Sequence, residues 1–455
     1  MLQDKDTTIV SEIKGFFASS EKAVWVILDI LSSLKFSDKH FGFSTACNLR
    51  FSSSLKLMLL PVFPFFQVSD PWSYASSGLY KVLSCGKDVF YRLLSNSRVD
   101  WRGFGYSITK QLIKKTETGD DEPCDNPRCL IIDDTDLQKT GKHFELIGKV
   151  FSHVTRTQIL GFKALFSGYF DGKSLFPLYF SFHGEKGKNQ KKPCGLTKKE
   201  LKKRFSKKRD KSSSGQKRMD AYFSSKITSA ISMIRDAILQ GIRFEYVLCD
   251  SWFTCSDLIK FITGRHVKCH LPGMMKKGTA KYTFNHREFS GKELARLLVR
   301  KGLLKRSRLT GYYHSSAIVT YKGIEIKLFF AKPSKGGAYN ILLTTDTTLD
   351  FDRAYRIYAN RWAIEVFFRE SRQHLQLGKC PPLYRLSNQR RIVSGNQKDT
   401  LQLTVSEHIW RIIIELVVEV AEILNLDPEE LILELVSENQ RLAKCFNLKT
   451  LRQAG

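Results

Sequence analysis

Two apolar runs in this chain each end in aspartate: Cys129-Leu-Ile-Ile-Asp133-Asp134-Thr135, and Phe244 to Cys249 followed by Asp250-Ser-Trp252-Phe253. A short apolar run bounded by polar residues reads as a buried strand, and a carboxylate at its carboxyl end sits at the rim where α/β sheets keep their sites. A third carboxylate, Glu365, lies in Tyr358-Ala-Asn-Arg361-Trp-Ala-Ile-Glu365-Val-Phe-Phe-Arg-Glu-Ser-Arg372. At about 100° per residue on a single helix, Tyr358, Arg361, Glu365 and Arg372 fall within an arc of roughly 60°. Ile357, Ile364, Phe368 and Leu375 form an adjacent apolar stripe, so the helix can pack on a core and present Glu365 with its cationic neighbours to a cleft. Oxygen ligands of this kind suit Mg²⁺ or Mn²⁺. Two such ions can activate water or a 3′-hydroxyl on one side of a phosphodiester and stabilise the leaving oxygen on the other. Taken alone, the helix reads equally well as a solvated face with charge pairs at helical spacing.

From about Arg128 to Lys379 the chain resembles the DDE transposases of bacterial insertion sequences, of the insertion-sequence-four type. The motifs that carry the resemblance are Asp-Asp-Thr, Asp-Ser-Trp-Phe and the Tyr358, Arg361, Glu365 spacing. The resemblance implies Asp134, Asp250 and Glu365 as catalytic, metal-binding residues for two Mg²⁺ or Mn²⁺ ions, and Tyr358 and Arg361 as groups that grip a DNA end. Arg372 stands where that family has lysine, which keeps the charge but makes it a planar fork. Adjacent residues of a strand face opposite ways, so Asp133 is the alternative to Asp134. The resemblance further implies an RNase-H-like core, hydrolytic nicking at transposon ends, strand transfer into target DNA, and a homodimer on paired ends.

A chain of 455 residues exceeds one ordinary core, and its net charge of +28 points to a polyanionic partner, with double-stranded DNA the natural one. There is no charged stem with an apolar signal core and no apolar run of about 18 residues, so the expectation is a soluble protein without a membrane span. Ten cysteines are scattered without a Cys-x2-Cys pair, which argues against structural zinc and for reduced thiols, as in a bacterial cytoplasm, with the protein on the nucleoid.

The expected fold class is α/β: an RNase-H-like catalytic core with an inserted β domain, plus helical N- and C-terminal regions. Residues 1–120 form the mainly helical, DNA-binding N-terminal region, where aromatic and basic residues such as Trp101 and Arg102 alternate. Aromatics at helical spacing usually pack inward, so no individual contact is assigned there. Residues 121–274 form the first part of the core. Phe162 to Phe170 and Leu175 to Phe182 flank an Asp171-Gly172 turn, a hairpin signature. A helix follows from about Met219 to Gln240, with Ile227, Ile231, Ile234 and Ile238 on one face and Gly241 as its stop. Strand, hairpin, helix, strand is the order an RNase-H-like sheet requires.

Between hairpin and helix lies a dense basic run at 186–211. It reads as a solvated linker, a nuclear address or, as favoured here, a phosphate-tracking arm, with Lys198, Lys199, Lys202, Lys203 and Arg204 as DNA contacts. Residues 275–346 alternate with period two around a Lys322-Gly323 turn and read as the inserted β domain. Residues 347–379 carry the Glu365 helix. In 380–455, an irregular Pro- and Arg-containing bridge at 380–400 precedes helical segments suited to oligomerisation; that bridge is a departure from the resembled family and marks a truncated or altered copy. Two other functions compete with a transposase: an RNase-H-like nuclease that cuts without joining, and a catalytically silent DNA-binding relic.

Overall fold

The computed structural model describes Tyr80, Gly86, Asp88 and residues 96–117, 126–139, 144–187 and 189–373. Most of the expected N-terminal DNA-binding region, the bridge at 380–400, the C-terminal helices, Leu375 and Lys379 lie outside these residues. The described chain opens with α1 (Trp101–Glu117), which buries Trp101, Phe104, Ile108 and Leu112 along one stripe. The inward reading of its aromatics holds for Trp101. Arg102 also turns inward, to Asp236 at 3.3 Å and over the Tyr179 ring at 3.9 Å, which removes both from a DNA-facing role.

Strand β1 (Cys129–Gln138) follows, then β2 (Gly148–Ser152), β3 (Thr157–Phe170) and β4 (Leu175–His183). The β3–β4 hairpin turns where the sequence placed it: Asp171 Oδ1 accepts from the backbone N–H groups of Lys173 and Ser174 at 2.8 and 2.7 Å, and Gly172 takes a positive φ of 115°. Next come α2 (Lys198–Lys203), α3 (Ser214–Phe223), α4 (Lys226–Leu239), β5 (Tyr246–Cys249), α5 (Ser256–Ile262) and β6 (Pro272–Met275). The single helix expected over 219–240 is thus two. Ser224 is extended, and the Ser225 hydroxyl accepts from Thr228 N–H at 3.0 Å, so the serine pair ends one helix and caps the next. The buried face of α4 is Ala230, Met233, Ile234 and Ala237, with Ile227 and Ile231 only half-buried and Ile238 exposed. The core-facing stripe is therefore rotated from the isoleucine stripe that sequence favoured.

The remaining elements are β7 (Lys281–Phe284), β8 (Arg287–Ser290), α6 (Gly291–Arg300), β9 (Lys305–Arg306), β10 (Tyr313–Tyr321), β11 (Ile324–Lys332), β12 (Asn340–Thr344), α7 (Phe351–Ala359) and α8 (Trp362–Gln373). Lys322 and Gly323, at φ 49° and 82°, make the tight β10–β11 turn that the sequence signalled. The interval is β-rich as expected, but its strands do not form a sheet of their own. β12 pairs with β6 from Ile341↔Met275 to Thr344↔Pro272, and β6 pairs in parallel with β5 at Cys249↔Gly273. One mixed sheet of twelve strands results, in the order β2-β3-β1-β5-β6-β12-β11-β10-β7-β8, with β4 on β3 and β9 on β10. Gly273 permits the join, because a Cβ there would stand 2.6 Å from Thr254 Oγ1. The fold is mixed α/β, with the antiparallel β1, β3 and β4 followed by the parallel β5 and β6, and with helices packed against the sheet.

The basic run is docked. Arg204 donates to the carbonyls of Ile147 and Leu146, both at 3.1 Å, and to the Tyr222 hydroxyl at 3.2 Å. Arg209 pairs with Glu145 where both side chains are almost wholly out of solvent (4% and 0% exposed), and Glu145 also accepts from Lys207 N–H at 2.6 Å. Arg204, expected to contact DNA, is instead a structural tie, while Lys198, Lys199, Lys202 and Lys203 of α2 point to solvent. Breaking a buried pair by removing one partner costs about 3–5 kcal/mol. Arg209→Leu should therefore lower the unfolding free energy by about that much in denaturant titrations, and the double change Glu145→Leu/Arg209→Leu should recover most of it. A single-variant loss below ~1 kcal/mol, the range of exposed pairs, would contradict the desolvated pair.

Candidate active site

The parallel register of β1 and β5 builds the site. Ile132 stands opposite Cys249 as the last parallel pair, so Asp133, whose strand continues beside β3, and Asp250, which leaves β5, come next in line on neighbouring strands. The preceding residues, from Cys129 to Ile132 and from Val247 to Cys249, are fully buried, which fixes both strands before either carboxylate is reached. Asp250 then starts a turn in which its Oδ1 accepts from Trp252 and Phe253 N–H at 2.9 and 3.2 Å, leaving Oδ2 outside those bonds. Thr254 Oγ1 closes the same turn on the Asp250 carbonyl at 3.1 Å.

The third carboxylate arrives on α8. Sequence placed Tyr358 to Arg372 on one helix, but α7 ends at Ala359 and α8 begins at Trp362. Between them Asn360 and Arg361 donate to the carbonyls three residues back, Ile357 and Tyr358, and the chain tightens through the junction. Ile357, Ile364 and Phe368 are buried as expected, with Phe368 and Phe367 set edge-on to Phe166 of β3 at 5.2 and 5.9 Å. The junction aims Arg361 inward: one guanidinium nitrogen lies 2.9 Å from Asp133 Oδ2, and the other bonds Glu365. Arg361 is thus the cation that ties the strand carboxylate to the helix carboxylate.

Burial pushes the Asp133 carboxyl up to about 7; Arg361 and the Asp134 N–H bond at 2.8 Å pull it down, and Asp250 and Asp134 push it further up. Burial likewise pushes Tyr358 up to about 12, opposed by Arg361 beside it and reinforced by Cys249 and Asp250. Tyr358, Arg361, Asp133, Asp250 and Glu365 form one electrostatic cluster.

Asp134 is turned to the other side. Its Oδ2 pairs with Lys226 Nζ at 2.9 Å, and that ammonium rests 4.1 Å from the centre of the Trp252 ring. His183 lies within electrostatic reach of both Asp134 and Lys226; its ring meets Ser181 Oγ at 2.8 Å and the Ser224 carbonyl at 3.2 Å, and burial pushes it down to about 4. So the aspartate selected from sequence is paired with Lys226, and its alternative, Asp133, is the one that shares Arg361 with Glu365 and feels the charge of Asp250. Arg372 also has a different setting from the expected one: it donates to Thr135 Oγ1 and to the Asp136 carbonyl at 3.4 Å, pinning α8 to the end of β1. Lys226 was not singled out from sequence. The signal that would have found it is the Ser224-Ser225 break, which puts it in the first turn of α4.

Among the described residues, no group of three or more His, Cys, Asp or Glu side chains stands as a ready metal cage. The donors nonetheless fit a hard divalent ion in kind. Asp133 is a carboxylate whose anion is penalised by burial, Asp250 has an oxygen outside its turn, and Glu365 is about one-third exposed. In this structure Arg361 supplies the compensating charge to two of the three.

The chain matches the family model of DDE superfamily endonucleases over residues 79–283 and that of the transposase DDE domain over residues 223–395. No curated protein matches it. Among solved structures it is similar, at 11% identity and a TM-score of 0.36, to a piggyBac transposase synaptic complex with hairpin DNA, over 95% of this chain and 86% of that one. It is also similar to the NurA nuclease from Sulfolobus solfataricus, at 10% identity and a TM-score of 0.24, over 61% of this chain and 85% of that one. Likenesses this distant do not define the fold. Among the described residues no helix is long and apolar enough to cross a membrane.

Asp133 yields a pH signature. Its carboxyl is raised from 3.8 to about 7 in the folded chain, so its contribution to stability is present below the unfolded value and lost as pH rises through 7. Asp133→Asn should remove that loss. In metal-free buffer, denaturant titrations at pH 5 and pH 8 should show the variant gaining on the wild type at the higher pH. Parallel behaviour of the two proteins would mean that Asp133 is ionised at ordinary pH in both states.

Proposed function

We propose that this chain is a transposase that cleaves DNA phosphodiester bonds at the ends of a mobile element and joins the freed 3′ ends to target DNA. The core is read as RNase-H-like on its strand order, an antiparallel β4-β3-β1 set continued by the parallel β5 and β6. The observation that carries the reading is the meeting of Asp133 and Asp250, just past the last parallel pair of β1 and β5, with Glu365 through Arg361. Asp133, Asp250 and Glu365 would hold two Mg²⁺ or Mn²⁺ ions, which when bound supply an activated hydroxyl and stabilise the leaving oxygen. Asp133 takes the place that sequence gave to Asp134. Lys226 and Arg372 act as positioning residues, one holding Asp134 away on its own side of β1 and the other holding α8 to β1. Arg361 and Tyr358 stand beside the carboxylates, where a phosphate of a DNA end would be gripped; Arg361 can change partner from carboxylate to phosphate.

The DNA-binding part of the proposal is supported by the net charge of +28 and by the outward lysines of α2. Cleavage at two paired ends calls for two copies of the chain, hence the proposed homodimer, with a cytoplasmic, nucleoid-bound location in a bacterium and an element of the insertion-sequence-four type. A nuclease that cuts without joining would use the same carboxylates, and the products separate the two.

The test is incubation with a labelled duplex ending in the repeat that flanks the gene, with Mg²⁺, scored for nicks and joined products. Asp133→Asn, Asp250→Asn and Glu365→Gln should each lower nicking by several orders of magnitude while leaving DNA binding largely intact. Asp134→Asn should retain most of it. If Asp134→Asn were dead and Asp133→Asn active, the assignment of the strand carboxylate would be reversed. Nicks without joined products in the wild type would leave a nuclease.

A further inference from the structure

The segment 276–308 holds eleven lysines and arginines against two glutamates, a denser excess of positive charge than the chain as a whole carries. Helix α6 organises part of it. Leu294, Ala295 and Leu298 are buried against the sheet, while Lys292, Arg296 and Arg300, four residues apart, are all exposed. Residues at i, i+4 and i+8 lie on one side of a helix, so the three cations make a single outward row, stepped by ~6 Å and ~12 Å long. Among the described residues none of the three is in an ion pair. Like charges at this spacing destabilise a helix, and α6 itself carries one carboxylate, Glu293, to offset three cations.

Further cations adjoin it. Lys281 of β7 and Arg296 both act on the Glu293 carboxylate, which is committed to capping α6 through Ser290 N–H at 2.7 Å. Lys277 lies over the Tyr339 ring at 5.6 Å, and Arg296 acts electrostatically on the same tyrosine. β10, on which α6 packs, stands four strand spacings from β5, or ~19 Å across one unbroken sheet. That is shorter than one turn of duplex DNA, ~34 Å.

We propose that the row Lys292, Arg296, Arg300, with Lys277 and Lys281 beside it, is a second DNA-binding surface, one that holds the phosphate backbone of duplex flanking the site of cleavage. The row's length matches the axial advance of about three to four nucleotides of one strand at ~3.4 Å each. Lysine and arginine on a helix face fix position on a duplex without reading its bases. The inference rests on the DNA-cleaving reading above and adds to it a surface that neither the carboxylate cluster nor the 198–204 lysines include.

The test measures binding of the full chain to a labelled mixed-sequence duplex of about 30 base pairs, roughly three helical turns, across a salt series in buffer without divalent metal. Lys292→Gln/Arg296→Gln/Arg300→Gln should flatten the slope of log affinity against log salt by about 2 to 3, near 0.9 for each phosphate that is no longer neutralised, and equally for unrelated sequences. The charge-conserving set Lys292→Arg/Arg296→Lys/Arg300→Lys should keep the wild-type slope. Should the triple variant fail to fold, Lys292→Gln and Arg300→Gln singly should each remove about 1 from the slope. Wild-type binding with an unchanged slope in these variants overturns this inference and leaves the carboxylate site standing. A wild type that binds no duplex at all overturns the proposed function as well. Loss of affinity only for anionic phosphatidylserine vesicles would make the row a membrane-binding face and reject the DNA surface.

Discussion

A carboxylate that has lost its water needs a positive partner, and much of this site follows from that requirement at Asp133. Four fully buried residues of β1 lead up to it, and the parallel partner β5 delivers Asp250 alongside. Two like charges at the rim of a dry sheet repel, and the chain answers with Arg361, placed by the tightened junction between α7 and α8. The same guanidinium engages Glu365, so one side chain sets the spacing between strand and helix. The aromatic packing of Phe367 and Phe368 on Phe166, and the hold of Arg372 on Thr135, keep α8 where Arg361 can span the gap. For an enzyme, such a cluster has a use: charge held against its preference is ready to be taken over by a metal ion or a phosphate.

The two neighbouring aspartates divide the labour because a strand has two faces. Asp134 uses Lys226 as its counter-ion, and Lys226 is in turn bedded on Trp252, in the turn that follows β5. The loop that follows Asp250 is therefore fastened twice, by its own Asx-type turn and by a cation from α4.

The apolar runs ending in aspartate, the Asp-Gly and Lys-Gly hairpins, and the buried stripe of Ile357, Ile364 and Phe368 were legible because each rests on a local rule: period, turn chemistry or burial. Choosing between Asp133 and Asp134 was not, since it depends on the register of β1 against a strand more than a hundred residues away. The breaks at Ser224 and Asn360 were missed for a related reason. A helical period continues across them in sequence, and only capping and the three-residue hydrogen bonds interrupt the backbone. The basic run misled in another way: charge density says nothing about which arginines find a carbonyl or a buried glutamate, and Arg204 and Arg209 do. The β-rich interval was recognised, but its attachment to β6 requires pairings that composition does not encode.

That attachment has a mechanical meaning. A domain joined by linkers could swing, and anything it held would sit at a variable distance from the carboxylates. Here β6, β12, β11 and β10 are stitched edge to edge by backbone hydrogen bonds, so the far strands and α6 are carried on the same plate as Asp250. The sheet behaves as a ruler: the distance from the chemistry to whatever rests on α6 is counted in whole strands, and it changes only if a strand is added, lost or unzipped.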